Sequence, residues 1–262
     1  MKKFWGFLLV IVLMTSCGEY QSLLKSNDYN LVYKKAIEYY NKGDYQRAMN
    51  LLDGVRSVFV GQAKAQNIAY YRAFCSYNMK DYQIASDLFK QFIQTYPESS
   101  FAEECLYMMG FCDYKASPKP RLDQQVTEKA IREFQLYLSR YPYSMRKDKV
   151  NTYMDEMRDK LSYKAYLSAK NYYLREHYKA AVISLQNCLK DYPGSKYREE
   201  IMYMLFVSKY QMAVNSVEDK KVERYNNARE EYYYFADEYP NSRYAADVKK
   251  MYEDIEAYLE NY

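Results

Sequence analysis

The side chains that could carry out chemistry are few in this chain and do not converge on a reaction. His177 is the only histidine among 262 residues. A catalytic triad would need a nucleophile and an orienting acid around that imidazole, and a zinc site would need further ligands. His177 also stands where aspartate would complete a Gly-Asp-Tyr turn. We therefore interpret it as a surface turn residue, and we expect no catalytic residue, metal site or cofactor.

Two pairs of carboxylates, Glu103-Glu104 and Glu199-Glu200, begin six residues after a Tyr-Pro dipeptide. Paired carboxylates can perform general acid–base catalysis. Their repetition at the same place, near the start of a predicted helix, favours a structural role. We predict that they stabilise the positive end of that helix.

Four cysteines follow the N-terminal region: Cys75, Cys105, Cys112 and Cys188. Cys105 and Cys112 lie seven residues apart on one predicted helix, a rise of about 10 Å. That distance exceeds the Cα separation of roughly 7 Å that a disulfide tolerates. We predict that all four are small buried hydrophobic residues. A disulfide is the alternative, because the oxidising compartment that the N-terminus indicates would permit one.

A recurring spacing predicts the elements that position these side chains. An alanine stands twelve residues before a proline at Ala85–Pro97, Ala130–Pro142, Ala181–Pro193 and Ala228–Pro240, and each proline sits in a Tyr-Pro-x-Ser sequence. Proline ends a helix because it lacks an N–H donor and clashes with the preceding turn. The serine is expected to N-cap the next helix. Such a pattern predicts a stack of helical hairpins.

The repeats resemble tetratricopeptide (TPR) repeats, with Gly43-Asp44-Tyr45 at the turn of the first copy and Asp81-Tyr82 at that of the second. Five copies span Leu31–Ser242, and two carry insertions between their helices, around Ser117–Val126 and Ser216–Glu223. The fold class we predict is all-α, a TPR-like helical-hairpin solenoid of about five repeats with a C-terminal capping helix. The insertions are either tolerated length variation or functional loops.

A longer sequence similarity links two copies of the repeat. The stretch from Tyr96 to Met108 returns 96 residues later as Tyr192 to Met204, with the glutamate pair at the same place in both. Each copy leads into a helix that ends near a tyrosine and then meets an insertion.

The N-terminus indicates the compartment. Lys2-Lys3 precede an apolar stretch from Phe4 to Met14 that has the length of a signal-peptide core and is too short to span a membrane. Thr15-Ser16-Cys17 resembles a bacterial lipobox, which makes Cys17 the predicted lipid attachment site; ordinary secretion is the alternative. We predict a lipoprotein signal peptide at 1–16, a linker at 17–30 and a solenoid domain at 31–262.

The net charge and the distribution of lysines limit the classes of partner that the chain is expected to bind. Removal of residues 1–16 would lower the net charge from +4 to +2. A nucleic-acid-binding protein is expected to carry a concentrated basic stripe, and the remaining lysine pairs do not form one. We therefore expect no nucleic-acid partner. The chain also has no glycine-rich run that would cradle a phosphate.

The first helices of the early repeats are rich in tyrosine. They include Tyr33, Tyr39, Tyr40, Tyr70, Tyr71 and Tyr77, more aromatic surface than repeat packing requires. Tyrosine offers a large contact area with few rotors and a hydrogen-bonding tip. Some of these residues must be core, but we predict that part of the set, with Tyr33, Tyr40, Tyr70 and Tyr71 as candidates, lines a groove for an unfolded segment.

A lipobox at Cys17 followed by five TPR-like repeats with Tyr-Pro-x-Ser endings resembles the BamD family of β-barrel assembly lipoproteins. The resemblance implies a non-enzymatic scaffold, lipid-anchored at the periplasmic face of the outer membrane. Its partners would be outer-membrane barrel-assembly subunits, held by the later repeats, and unfolded β-barrel proteins, received at the earlier ones. The alternative is a periplasmic TPR coordinator of cell-wall synthesis or of another envelope complex, and an enzyme is the third class.

Overall fold

A computed structural model describes residues 18–261; the predicted signal peptide and Cys17 lie outside this range. After a helical segment at 18–24 come five hairpins: α1 (Tyr29–Asn41) with α2 (Tyr45–Val55), α3 (Ala63–Asn78) with α4 (Tyr82–Thr95), α5 (Ala102–Ala116) with α6 (Gln125–Arg140), α7 (Lys147–Leu174) with α8 (Tyr178–Asp191), and α9 (Arg198–Val214) with α10 (Glu218–Glu238). Helix α11 (Ala245–Leu259) follows them. The described residues contain no strand, and the predicted all-α solenoid is confirmed. None of their helices has the length and apolar character that a membrane crossing requires.

Four of the second helices end where the Tyr-Pro sequences predict. Helices α4, α6, α8 and α10 are each followed by a C-cap tyrosine with φ between −127° and −132°: Tyr96, Tyr141, Tyr192 and Tyr239. A residue before proline is pushed out of the helical region by the proline ring. The N–H of each tyrosine still donates to the carbonyl four residues earlier. The dipeptide therefore closes the helix and turns the chain within one residue.

The serine of each Tyr-Pro-x-Ser sequence acts slightly earlier than expected. Ser99 Oγ accepts a hydrogen bond from the Phe101 N–H, and Ser195 and Ser242 accept from the N–H two residues on in the same way. The N-cap position itself belongs to Phe101, Tyr197 and Tyr244. The serine thus organises the turn before the helix, and the N-cap prediction is wrong by two residues.

The two predicted insertions differ in structure. Residues 117–124 form a loop between α5 and α6, as the prolines at 118 and 120 require. The second insertion does not loop out, because Glu218 already begins α10. Most of Ser216–Glu223 therefore lengthens α10 to 21 residues. The expectation of an inter-helix insertion there is wrong, since the segment contains no proline or glycine to break the helix.

The chain forms two compact units. Within the described residues, unit 1 comprises 18–118 with Asp123–Met154, and unit 2 comprises Lys119–Leu122 with 155–261. In unit 1, Tyr20 and Leu23 of the segment predicted as a linker are buried in the core cluster of the first hairpin. The repeat alanines Ala85, Ala130, Ala181 and Ala228 have no exposed surface. Small residues at these points let the helices approach closely.

Candidate functional site

The tyrosines predicted to line a groove lie on the first helices of hairpins 1 and 2 in unit 1. Tyr33 and Tyr40 belong to α1, and Tyr70 and Tyr71 belong to α3. All four are half-buried. They are therefore partly core and partly open to a partner.

Tyr40 joins the two hairpins through ring contacts. Its ring centre lies 4.9 Å from that of Tyr71, with the planes at 69°, an edge-to-face geometry that aromatic pairs favour. The Tyr40 hydroxyl accepts a hydrogen bond from Asn78 Nδ2 at 3.4 Å. Burial raises the pKa of Tyr40 to about 12, so the phenol is neutral at physiological pH.

Tyr70 continues the contact from α3 to α5. Its ring lies 5.6 Å from Tyr71, 4.5 Å from Phe74 and 4.6 Å from Phe101. Its hydroxyl donates to Glu104 Oε2 at 2.8 Å. Burial, together with that carboxylate, raises the pKa of Tyr70. The hydroxyl is a fixed donor that is already engaged.

Tyr33 lies apart from the other three. Its ring is 6.1 Å from that of Phe59, and Lys64 Nζ lies 5.7 Å from the Tyr33 ring centre and 5.1 Å from that of Phe59. A cation over two rings makes a local cluster at the other end of α1. The structure therefore brings together Tyr40, Tyr70 and Tyr71, and it places Tyr33 in a separate contact.

The aromatic contacts continue past the residues that sequence reasoning selected. Phe74 leads to Tyr77 at 6.4 Å, Tyr77 to Phe111 at 6.2 Å, and Phe111 to Tyr114 at 5.9 Å. We call the connected set the aromatic row: Tyr40, Tyr71, Tyr70, Phe74, Tyr77, Phe111 and Tyr114. Phe74 and Phe111 were missed, although each has an aromatic neighbour three residues on along its helix, and that helical spacing is a usable signal.

The acid pairs connect successive hairpins. All four lie in the first turn of α5 or α9, as predicted. Glu103 Oε1 accepts from the Ser144 hydroxyl at 2.7 Å, and Glu199 Oε1 accepts from the Ser242 hydroxyl at 2.6 Å. Glu200 Oε1 accepts from Lys170 Nζ at 2.7 Å. These carboxylates are held by hydrogen bonds between repeats, which uses their acceptor capacity for assembly of the stack.

Unit 1 also buries a charge cluster that the sequence analysis missed. Asp113 of α5 and Glu133 of α6 are 1% and 8% exposed. Lys129 Nζ lies 2.8 Å from Asp113 Oδ2 and 3.7 Å from Glu133 Oε1. Burial, and then the neighbouring Asp113, raise the pKa of Glu133 to about 8. Lys129 thus faces two buried carboxyl groups, and the exposed Asp87 Oδ1 lies 3.8 Å from its Nζ.

The remaining sequence candidates are one histidine and four cysteines. His177 is the exposed N-cap residue of α8 and makes no side-chain capping bond. The cysteines are buried and unpaired, as predicted: Cys75, Cys105, Cys112 and Cys188. Burial raises the pKa of Cys75 and Cys105 to about 12, which keeps these thiols protonated. Among residues 18–261 no group of histidine, cysteine and acidic side chains could hold a metal ion.

Three solved structures show a low similarity to this chain. A TPR repeats protein from Bacteroides fragilis has 13% identity and a TM-score of 0.42, over 88% of this chain and 99% of that one. The TPR2AB domain of yeast Sti1, in complex with pHSP90, has 14% identity and a TM-score of 0.39, over 87% and 98%. Human IFIT1, solved as a dimer with PPP-AAAA, has 18% identity and a TM-score of 0.31, over 94% and 62%.

No curated protein matches the chain. The model of the YfiO family, described as outer membrane lipoprotein, matches residues 25–200 and 164–262. These two matches run through both units and every hairpin. The chain belongs to the YfiO (BamD) family of outer membrane lipoproteins.

Proposed function

We propose that this chain is a scaffold for outer-membrane protein assembly. It is lipid-anchored through Cys17 at the periplasmic face of the outer membrane. Its later repeats hold the barrel-forming catalyst, and its earlier repeats receive unfolded β-barrel proteins. The observation that carries this proposal is the family match over residues 25–262. The half-buried aromatic row in unit 1 supports the substrate assignment.

The row suits an extended apolar segment for physical reasons. Its rings are ordered by contacts with one another, so little side-chain entropy is lost when a partner packs on them. Burial raises the pKa of Tyr40, Tyr70 and Tyr77, which keeps these hydroxyls neutral. Neutral tyrosines combine apolar area with a hydrogen-bonding tip. Unfolded barrel strands alternate apolar and polar side chains, and such a strand could use both properties.

Photo-crosslinking tests the substrate role. Crosslinkers placed at Tyr40 and Tyr71 should capture an unfolded barrel segment in cells, and one at Tyr33 reports on the separate cluster. Tyr143 is the matched control, because it is a unit 1 tyrosine with 96% of its side chain exposed. Capture confined to Tyr143 or to positions in the late repeats would contradict the assignment.

Two further experiments test the anchor and the partners. Cys17→Ala should abolish metabolic labelling with palmitate, and label that persists on this variant rules out Cys17 as the attachment site.

A pull-down of the full-length protein from detergent-solubilised envelopes should recover barrel-assembly subunits. Recovery of peptidoglycan synthases instead would favour a coordinator of cell-wall synthesis.

A further inference from the structure

Unit 2 contains an open cavity of about 650 Å³ along the first helix of hairpin 4. Tyr163, Tyr166 and Leu167 of α7 line it, with Tyr197 at the start of α9 and Arg121 of the loop. Its volume falls within the range of roughly 300–1,000 Å³ typical of ligand sites. It lies at the repeat position that the aromatic row occupies in unit 1, because Tyr70 and Phe101 precede Tyr166 and Tyr197 by 96 residues.

The aromatic wall of this cavity is flat and rigid. The Tyr197 ring stacks on Tyr166 at 4.3 Å with the planes at 11°, and on Tyr163 at 5.3 Å with the planes at 28°. Tyr166 is 5% exposed, so its ring is fixed by the core beneath it. Three parallel rings offer a surface on which an aromatic or aliphatic side chain can pack.

The polar part of the wall is cationic. Arg121, Lys164 and Lys170 line the cavity, and none of the described acidic side chains does. Lys170 is paired with Glu200 at 2.7 Å. Lys164 Nζ donates to the Leu122 carbonyl at 2.8 Å, which holds the loop against α7 and places Arg121 at the rim. Two positive charges, Arg121 and Lys164, thus stand at the cavity without an acid to neutralise them there.

The same helix face is apolar and buried in unit 1 but polar in unit 2. The residues 96 positions before Lys164 and Asn171 are Ile68 and Cys75, and both are fully buried in the core cluster of hairpin 1. In unit 2 the same helix face has polar residues, with Lys164 half-buried and Asn171 exposed. A face that only packed against protein would keep its apolar residues, since burying an unpaired lysine is costly.

We propose that this cavity binds a peptide segment of a partner protein in which a carboxylate side chain adjoins an aromatic or aliphatic one. The apolar side chain packs on the half-buried Tyr163 and Tyr197 rings, which Tyr166 supports from the core, and against Leu167. The carboxylate pairs with Arg121 and Lys164, and a bidentate pair with the arginine fork adds orientation. This site is separate from the aromatic row, and the proposal holds whether or not unfolded barrel segments bind there.

Fluorescence anisotropy with the full-length protein in detergent tests the site. The probes are a fluorescein-labelled peptide with the sequence Gly-Ser-Glu-Phe-Glu-Ser-Gly and two relatives, one with both Glu replaced by Gln and one with Phe replaced by Ala. The first should bind about tenfold more tightly than either relative, because each relative lacks one of the two contacts. Equal affinity for all three peptides overturns the proposal.

Matched charge changes locate the binding. Arg121→Glu and Lys164→Glu should each weaken binding of the Glu peptide about tenfold. Lys249→Glu makes the same change at an exposed lysine of α11 and should leave affinity unchanged. An equal loss in all three variants shows non-specific attraction and overturns the site.

Folding and independence need their own controls. Lys164→Met removes the charge while keeping the stem length, and circular dichroism of each variant checks the helical content. Weaker binding by a well-folded Lys164→Met supports the site, and unchanged binding contradicts it. Crosslinking from Tyr40 and Tyr71 should be the same in Arg121→Glu as in wild type, so failure of the aromatic-row assignment and failure of this site are told apart.

Discussion

The pair α5–α6 in unit 1 and the pair α9–α10 in unit 2 follow one plan with different side chains at matching positions. Gly110 of α5 faces the fully buried Phe134, whose Cδ1 would lie 2.9 Å from an added Cβ. At the matching positions unit 2 has Phe206, fully buried, and Tyr232, half-buried. The fully buried ring thus lies on the second helix in unit 1 and on the first helix in unit 2, where the Tyr232 ring lies 6.2 Å from it. The same backbone plan therefore accepts different residues at this contact.

Charge differs between the same two helix pairs. Unit 1 sets Asp113 and Glu133 around Lys129, whereas unit 2 sets Lys209 against Glu231 at the matching positions of Asp113 and Glu133. Unit 2 thus holds one cation and one anion. Unit 1 holds a second buried carboxyl group, and the neighbouring Asp113 adds to the burial that raises the pKa of Glu133. One backbone plan accommodates a balanced pair in one unit and a surplus acid in the other.

Removing the glutamate should have opposite effects in the two units. Glu231→Gln leaves Lys209 facing a buried site without a counter-charge, and should lower the free energy of unfolding by about 3 kcal/mol. Glu133→Gln removes the surplus acid and should raise stability at pH 8. Urea denaturation followed by circular dichroism measures both. A loss of similar size in both variants would contradict the comparison.

The stability of unit 1 should fall as pH rises. The pKa of Glu133 is about 8 in the folded chain against 4.5 for an ordinary glutamate. Between these values Glu133 holds more protons in the folded state than in the unfolded state. Its contribution to stability is therefore full below pH 4.5 and is lost progressively up to about pH 8. Hydrogen exchange of α5 and α6 across this range measures it. Glu133→Gln should flatten the profile; an unchanged profile in this variant would assign the effect to another group.

The ends of the helices and the points where neighbouring helices approach closely could be predicted from local sequence. Proline acts on the residue before it and on the turn behind it, so Tyr96 and Tyr192 close their helices wherever they occur. Ala85 and Ala181 were placed at close approaches because the repeat period puts them there, and both are fully buried. These signals depend on neighbours within one or two turns.

Partners that lie far apart in sequence could not be predicted in this way. Glu103 could be assigned to the first turn of a helix, but its bond to Ser144 joins residues 41 positions apart. Tyr33 and Tyr40 share a helix and a residue type, yet only Tyr40 reaches Tyr71, because the two tyrosines lie seven residues apart and meet different neighbours. The cationic cavity depends on a loop carbonyl meeting Lys164, and no local signal contains that contact.

The repeat alanines Ala85 and Ala181 should respond alike to enlargement in both units. Ala85→Leu and Ala181→Leu add a branched side chain where no free space exists, and each should cost about 1–3 kcal/mol. Lys90→Leu, at an exposed site of α4, should cost little. Thermal unfolding measures all three. Equal shifts in unfolding temperature for the alanine variants and for Lys90→Leu would contradict the repeat register.

A methyl group at Gly110 should test whether the Phe134 ring limits the space at this position. Gly110→Ala gains helix propensity but places its Cβ against the buried Phe134 ring, and the two effects oppose each other. We expect a net loss of about 1 kcal/mol. In a Phe134→Leu background the same change should become stabilising, because only the propensity gain remains. A destabilising effect of equal size in both backgrounds would show that the ring is not the obstacle.

The smallest expected effect is at the serines that connect successive hairpins. Ser144 and Ser242 donate to Glu103 and Glu199, but Glu103 also accepts from the Tyr137 hydroxyl at 3.0 Å. Ser242→Ala therefore removes the serine bond of Glu199 and should cost about 1 kcal/mol, whereas Ser144→Ala leaves the tyrosine bond and should cost about 0.5 kcal/mol. Chemical denaturation of the two variants measures the difference. Adding Tyr137→Phe to Ser144→Ala should raise that cost to at least the level of Ser242→Ala, and failure to do so would show that the tyrosine does not compensate.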